Sequence, residues 1–175
     1  DQCGARTMST IAYKDGVIAC DEQVTNGCEY QHGIYKIGRT KKYLFGFAGR
    51  LGAIWPLFDW LLEVEGNKEA PDPTYFYRFG HELGLDLDDG YAIIANKDGD
   101  LWSLNPNGFV TPQPRKYDAI GSGGAYAVGA IAHGATAEQA VQAAILCDTG
   151  SGGRIHSLGW GYRDIIRPRA CSKRN

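Results

Sequence analysis

Met8, the one methionine in the chain, stands directly before Ser9 at the head of a short apolar run, Ser9-Thr10-Ile11-Ala12-Tyr13, that ends in the turn Lys14-Asp15-Gly16. Translation from Met8 and loss of that methionine would leave Ser9 with a free α-amine, which puts a hydroxyl nucleophile and a base on one residue. An α-amine with an ordinary pKa of about 7.7 to 8.0 is suited to taking the hydroxyl proton at neutral pH. Any residue joined to Ser9 turns that amine into a non-basic amide. Residues 1–8 are therefore expected to be an extension missing from the mature protein. Read alone, Met8 fits better as an ordinary apolar residue near a terminus.

Other chemistry is thinly signalled. Cys3, Cys20, Cys28, Cys147 and Cys171 are odd in number, far apart and without a C-x-x-C spacing, so neither a zinc knuckle nor a disulfide framework is expected. Cys20 and Cys147 lie in apolar runs and read as small core residues. His32, His81, His133 and His156 form no H-x-x-H pattern, and no metal or other cofactor is expected. Neither Ser122 nor Ser151 sits in G-x-S-x-G, so a nucleophile elbow is absent. Gly121-Ser122-Gly123-Gly124 is too short for a nucleotide fingerprint; it suits a strand-to-helix turn or an anion-binding helix N-terminus.

The elements that would position these residues follow from hydrophobic period and turn chemistry. Residues 10–13 and 17–20 are apolar and joined by Asp15-Gly16, which predicts a β-hairpin. A polar loop around Asn26-Gly27 leads to strands at 33–37 and 43–48, separated by the basic turn Arg39-Thr40-Lys41-Lys42. From Leu51 the period becomes helical, with Ile54, Trp55, Phe58, Leu61 and Leu62 on one face and Pro56 in the first turn. A surface loop at 67–73 precedes a short second helix from Tyr75 to Leu83. Residues 91–96 and 101–104 form a second hairpin, and 108–111 and 117–120 are further strands. Helices follow at 126–133 and 137–147, the latter opened by Thr136 and Gln139 at capping-box spacing. Asp148-Thr149-Gly150-Ser151-Gly152-Gly153 closes that helix, and 154–160 is a final strand. Strands in hairpins and helices in pairs predict an α+β class of antiparallel sheets with helices on their outer faces.

Length and charge narrow the function classes. A chain of 175 residues is one domain's worth. Its 18 basic and 20 acidic residues give a net charge of −2, which makes no case for a nucleic-acid or anionic-membrane partner. No apolar run approaches the ~20 residues of a membrane span, and the first residues lack the pattern of a signal peptide, so a soluble, cytoplasmic protein is expected.

The ordered set Ser9-Thr10-Ile11-Ala12, Gly16-Val17-Ile18-Ala19-Cys20-Asp21, Lys36-Ile37, Gly46-Phe47-Ala48-Gly49, Ala119-Ile120-Gly121-Ser122-Gly123-Gly124 and Asp148-Thr149-Gly150-Ser151-Gly152-Gly153 resembles the proteasome β-type, HslV-like branch of the N-terminal nucleophile hydrolases, in its compact bacterial or bacteriophage form. The resemblance runs over residues 9–153. It implies a four-layer αββα sandwich, with a domain over 9–160; the tail over 161–175 lies outside the resemblance, and its Pro- and Arg-containing end, 167–175, is unlike the family's usual ending and is read as disordered. It also implies a site carried by Ser9 as nucleophile, Asp21 and Lys36 as the charged pair beside it, and Gly49 as oxyanion donor. Ser122, Asp148 and Ser151 are implied as the network around the terminal amine. Read alone, Asp21 fits a turn after a strand, Lys36 a solvated strand edge, and Asp148 and Ser151 a helix end.

The activity implied is endopeptidase cleavage of unfolded polypeptides, in a homo-oligomeric ring served by an ATP-dependent unfoldase. Two features depart from the pattern. Ser9 stands where threonine is usual, losing the methyl group that restricts the rotamer, and Met8 stands where a self-processing precursor has glycine, so that removal by an aminopeptidase is the simpler route. Thr7 and Thr10 are alternative hydroxyl nucleophiles that disturb the register to Asp21 and Lys36. A catalytically inactive assembly subunit, or an amidase acting on small substrates, are the alternative readings.

Overall fold

The computed structural model describes residues 8–26, 29–31, 36–75, 90–161 and 165–168. Alternation of apolar residues builds two antiparallel sheets. The first has the order β10-β1-β2-β11, from β1 (Thr10–Lys14), β2 (Val17–Asp21), β10 (Tyr117–Gly121) and β11 (Ile155–Gly159). The second runs β5-β6-β7-β8-β9, from β5 (Ile37–Arg39), β6 (Tyr43–Ala48), β7 (Tyr91–Asn96), β8 (Leu101–Leu104) and β9 (Val110–Gln113). A small ribbon, β3 (Val24–Asn26) with β4 (Glu29–Gln31), occupies the region expected to be a polar loop. Residues flanking the Asn26-Gly27 turn signal pair with each other, a local hairpin that the absence of an apolar period concealed.

Three helices cover the sheets among the described residues: α1 (Ile54–Gly66), α2 (Gly124–Ala132) and α3 (Ala137–Cys147). Period 2 in the strands sorts side chains between layers. Ile11, Tyr13, Ile18 and Cys20 point from the first sheet onto Leu44, Ala48, Ile93 and Leu101 of the second, forming the central core. On the opposite face of the first sheet, Ala12 and Ala19 meet Ala127, Ala140, Val141 and Ala144 of α2 and α3. Small residues on both sides let these helices lie close to the strands. On the far side, Phe45, Phe47 and Trp102 pack on Ile54, Leu57, Phe58 and Leu61 of α1. The order is therefore helix, sheet, sheet, helix, the expected αββα sandwich.

Several expectations shift in detail. Trp55, assigned to the apolar face of the first helix, is exposed, and Leu57, Trp60 and Val64 are buried instead. A 3-10 turn at Leu51–Ala53 precedes α1, so Pro56 falls in the first turn, where its missing N–H is tolerated. Lys36 lies before β5, which is Ile37–Arg39 where a strand at 33–37 was expected; residues 32–35 lie outside the described residues, as does the expected second helix beyond Tyr75. The strand expected at 108–111 starts at Val110, because Asn105 accepts hydrogen bonds from the Asn107 and Phe109 N–H groups and holds 105–109 as a turn. The capping box at Thr136 and Gln139 is formed. Ile166 pairs with Arg39 at the edge of the second sheet, through N–H to O distances of 2.8 and 2.9 Å.

Cys20 is buried as expected, whereas Cys147, on the last turn of α3, is exposed. Burial pushes the Cys20 thiol up to about 11, so almost none of it is the reactive thiolate at mild alkaline pH. Alkylation with iodoacetamide at about pH 8, followed by peptide mass spectrometry, is expected to label Cys147 and spare Cys20 until denaturant is added. Equal labelling of both in the folded protein would contradict the packing of β2.

Candidate active site

The site forms where the start of β1 meets the ends of β2 and β10 and the loop after α3. The β1–β2 hairpin turns through Asp15 and Gly16, both at positive φ (49° and 77°), which brings Ile11 opposite Cys20 and so sets Thr10 beside Asp21. Asp21 is fully buried at the end of β2. Its Oδ1 accepts hydrogen bonds from the Lys36 Nζ at 2.9 Å and the Thr10 N–H at 2.9 Å, and its Oδ2 accepts from the Gly152 N–H at 3.0 Å. Lys36, only 2 % exposed, also donates to the Gln23 carbonyl, while its own carbonyl takes the Phe47 N–H of β6 at 2.9 Å. A buried ammonium so satisfied is anchored at its tip and at its backbone.

A second cluster lies on the other side of Ser9. The Ser9 N–H donates to Ser122 Oγ at 3.2 Å, and Ser122 Oγ donates to Asp148 Oδ2 at 2.6 Å. Asp148 Oδ2 also accepts from Ser151 Oγ at 2.7 Å, and its Oδ1 takes the Gly150 N–H at 3.2 Å. Asp148 thus ends α3 and holds two hydroxyls at once. Ser9 Oγ donates to the Met8 carbonyl at 2.6 Å. With Met8 attached, the hydroxyl proton is therefore directed to a peptide oxygen and the Ser9 nitrogen is an amide.

Ser9, Asp21, Lys36, Ser122, Asp148 and Ser151 are all drawn into one hydrogen-bonded network, closed by Thr10. Gly49 is not joined to it by a hydrogen bond. It follows β6 directly, against the Phe47 ring and Gly90, where a Cβ would come within 2.6 Å of both. Sequence reasoning missed three participants. Thr10, weighed only as an alternative nucleophile, is fully buried with its side chain engaged. Gln23 and Gly152 supply a carbonyl and an N–H to the charged pair. The adjacent hydroxyl residues Ser9-Thr10 and the run Gly150-Ser151-Gly152-Gly153 were the available signals. Among the described residues no His, Cys, Asp or Glu cluster could hold a metal ion.

The two antiparallel sheets between helical layers are the fold shared with HslV and a proteasome-like protein among solved structures. The match to solved structures is one of fold. HslV from Trypanosoma brucei superposes with a TM-score of 0.65 at 20 % identity, covering 87 % of this chain and 99 % of that one. BPH of Thiobacillus denitrificans gives 0.61 at 23 % identity, covering 86 % of this chain and 95 % of that one. The same protein in complex with epoxomicin gives 0.59, over 93 % and 99 % of the two chains. No protein-family model and no curated protein sequence matches the chain. The HslV-like resemblance carried by the ordered motifs is thus met at the level of fold.

Two outcomes follow from this packing. Lys36→Met strands the Asp21 carboxylate in the interior and is expected to cost about 3 kcal/mol of unfolding free energy, measured by urea denaturation; a loss below about 1 kcal/mol would mean that water reaches the pair. Gly121 has φ 93°, and a Cβ there would strike the Ser9 carbonyl. Gly121→Ala is expected to lower the melting temperature more than Gly129→Ala, whose Cβ would meet open space on α2.

Proposed function

We propose that the chain is a proteasome-like endopeptidase whose nucleophile is the Ser9 hydroxyl, acting once everything before Ser9 has been removed. The observation that carries this reading is the placement of the Ser9 nitrogen, 3.2 Å from Ser122 Oγ and one residue from the buried Asp21–Lys36 pair. In the processed protein that nitrogen becomes a basic amine. It takes the proton from Ser9 Oγ as the oxygen adds to a substrate carbonyl, and gives it to the departing amine as the peptide C–N bond breaks. The Ser9 ester so formed is hydrolysed by water, the amine acting again as base. Lys36 disfavours a second positive charge and keeps more of the amine neutral, and Asp21 orients Lys36. The Gly49 N–H donates to the tetrahedral oxyanion, a type of contact worth roughly 3 kcal/mol in acyl-transfer enzymes. Ser122, Asp148 and Ser151 hold the amine.

Polypeptide selectivity in this proposal comes from a homo-oligomeric ring, with unfolded chains delivered by an ATP-dependent unfoldase. The likeness of fold to HslV supports both assignments. The second reading, a silent assembly subunit, is favoured by one contact, the hydrogen bond of Ser9 Oγ to the Met8 carbonyl.

Intact-mass measurement of the N-terminus, paired with a peptide-hydrolysis assay, decides between them. Protein beginning at Ser9 is expected to hydrolyse peptides and to lose at least ~10³-fold activity in Ser9→Ala, while protein retaining Met8 is inactive. A processed protein with no activity would leave the assembly reading standing. The amine must be neutral to act as base, so kcat is expected to rise with pH through the amine's pKa and then level. Its ordinary value is about 7.7 to 8.0, lowered by the positive charge of Lys36.

A further inference from the structure

Thr10 is hydrogen-bonded to both halves of the site: its N–H to Asp21 Oδ1 at 2.9 Å, and its Oγ1 to Ser151 Oγ at 2.7 Å. We infer that the Thr10 hydroxyl is a positioning group that, through Ser151, Asp148 and Ser122, sets how tightly the Ser9 amine holds its proton. This rests on Ser9 being N-terminal and acting through its amine.

Proton counting fixes the direction of every bond in the chain. A carboxylate only accepts hydrogen bonds, and a hydroxyl has one proton to give. Asp148 Oδ2 receives both the Ser122 and the Ser151 hydroxyls, at 2.6 and 2.7 Å, so neither serine has a proton left. The Thr10–Ser151 contact, in which either oxygen could donate, must then be Thr10 donating. By the same count Ser122 can only accept from the Ser9 nitrogen. A neutral amine that gives one N–H to Ser122 keeps its lone pair free for the proton of Ser9 Oγ.

The hydroxyl is closely enclosed. Thr10 is fully buried, and Gly123 crowds it so closely that a Cβ there would overlap Thr10 Oγ1 and come 3.0 Å from Ser151 Oγ. Hydrogen bonds in a chain polarise one another. Donation from Thr10 makes Ser151 a stronger donor to Asp148 and draws negative charge from that carboxylate. Without it, Asp148 acts more strongly through Ser122 on the ammonium form of Ser9, which then holds its proton more tightly.

Thr10→Val keeps the backbone N–H to Asp21 and the side-chain volume but removes the hydroxyl; Thr10→Ser restores it. In processed protein verified by mass, Thr10→Val is expected to lower kcat roughly three- to tenfold with little change in KM, and to move the acid limb of the pH profile to higher pH. Thr10→Ser is expected to restore both. In a Ser151→Ala background, Thr10→Val is expected to add less than about twofold, because its route to the amine is already cut. The amine's pKa, followed directly by ¹⁵N NMR of Ser9, is expected to rise in Thr10→Val whether or not the protein hydrolyses peptides. An unchanged amine pKa, or losses that multiply fully in the double variant, would overturn the inference. Peptide inactivity of the processed parent protein together with a raised amine pKa in Thr10→Val would overturn the proposed function alone.

Discussion

A fully buried carboxylate governs this architecture. Asp21 cannot be solvated, so its charge must be met from within the protein, and the three groups that meet it come from three separate parts of the chain: Thr10 at the start of β1, Lys36 ahead of β5, and Gly152 in the loop after α3. Removing any partner from a buried charge is costly. The same requirement ties the first sheet to the second, because Lys36 reaches back to Asp21 while its carbonyl takes an N–H of β6. The loop after α3 is held by a second set of bonds: the N–H groups of Glu22 and Gln23 share the Gly152 carbonyl, and Gln23 Nε2 donates to the Thr149 carbonyl. Satisfying one charge therefore assembles the floor beneath Ser9.

Close backbone approach is the second constraint. Gly121 lies against the Ser9 carbonyl and Gly123 against the Thr10 and Ser151 hydroxyls. Two glycines two residues apart let β10 turn into α2 directly over the first residues of β1. That approach places Ser122, between them, with its hydroxyl reaching both the Ser9 nitrogen and Asp148. The alanine-rich contact of α2 and α3 with β1 and β2 serves the same end, since larger side chains would lift the helices and carry Asp148 and Ser151 away.

What the sequence made legible follows from which interactions are local. The β1–β2 hairpin, the capping box at Thr136 and the helix after Leu51 are each set by residues within a turn or two of one another, and each forms, although the helix buries Leu57, Trp60 and Val64 and leaves Trp55 exposed. The β3–β4 ribbon lacks an apolar face, so its pairing leaves no period to read. In the site, Ser9, Asp21, Lys36, Ser122, Asp148 and Ser151 were reached through the order of short motifs, not through their spacing, because their contacts span up to 141 positions, between Thr10 and Ser151. Gln23 was overlooked for a physical reason: it contributes through a backbone carbonyl, which every residue type carries, whereas the Thr10 hydroxyl was weighed only as a nucleophile.

Met8 shows how the same atoms can be inert or poised. While it is attached, the Ser9 nitrogen is an amide with no basic lone pair, and the Ser9 hydroxyl spends its proton on the Met8 carbonyl. Under the proposed function, cleavage of that one bond would remove the acceptor and create the base in the same place. The surrounding groups need not move, because Ser122 already accepts an N–H from this nitrogen and Thr10 already holds the backbone to Asp21. Under the proposed function, a network assembled around the uncleaved chain is preorganised for the amine, and processing would change chemical character within that geometry.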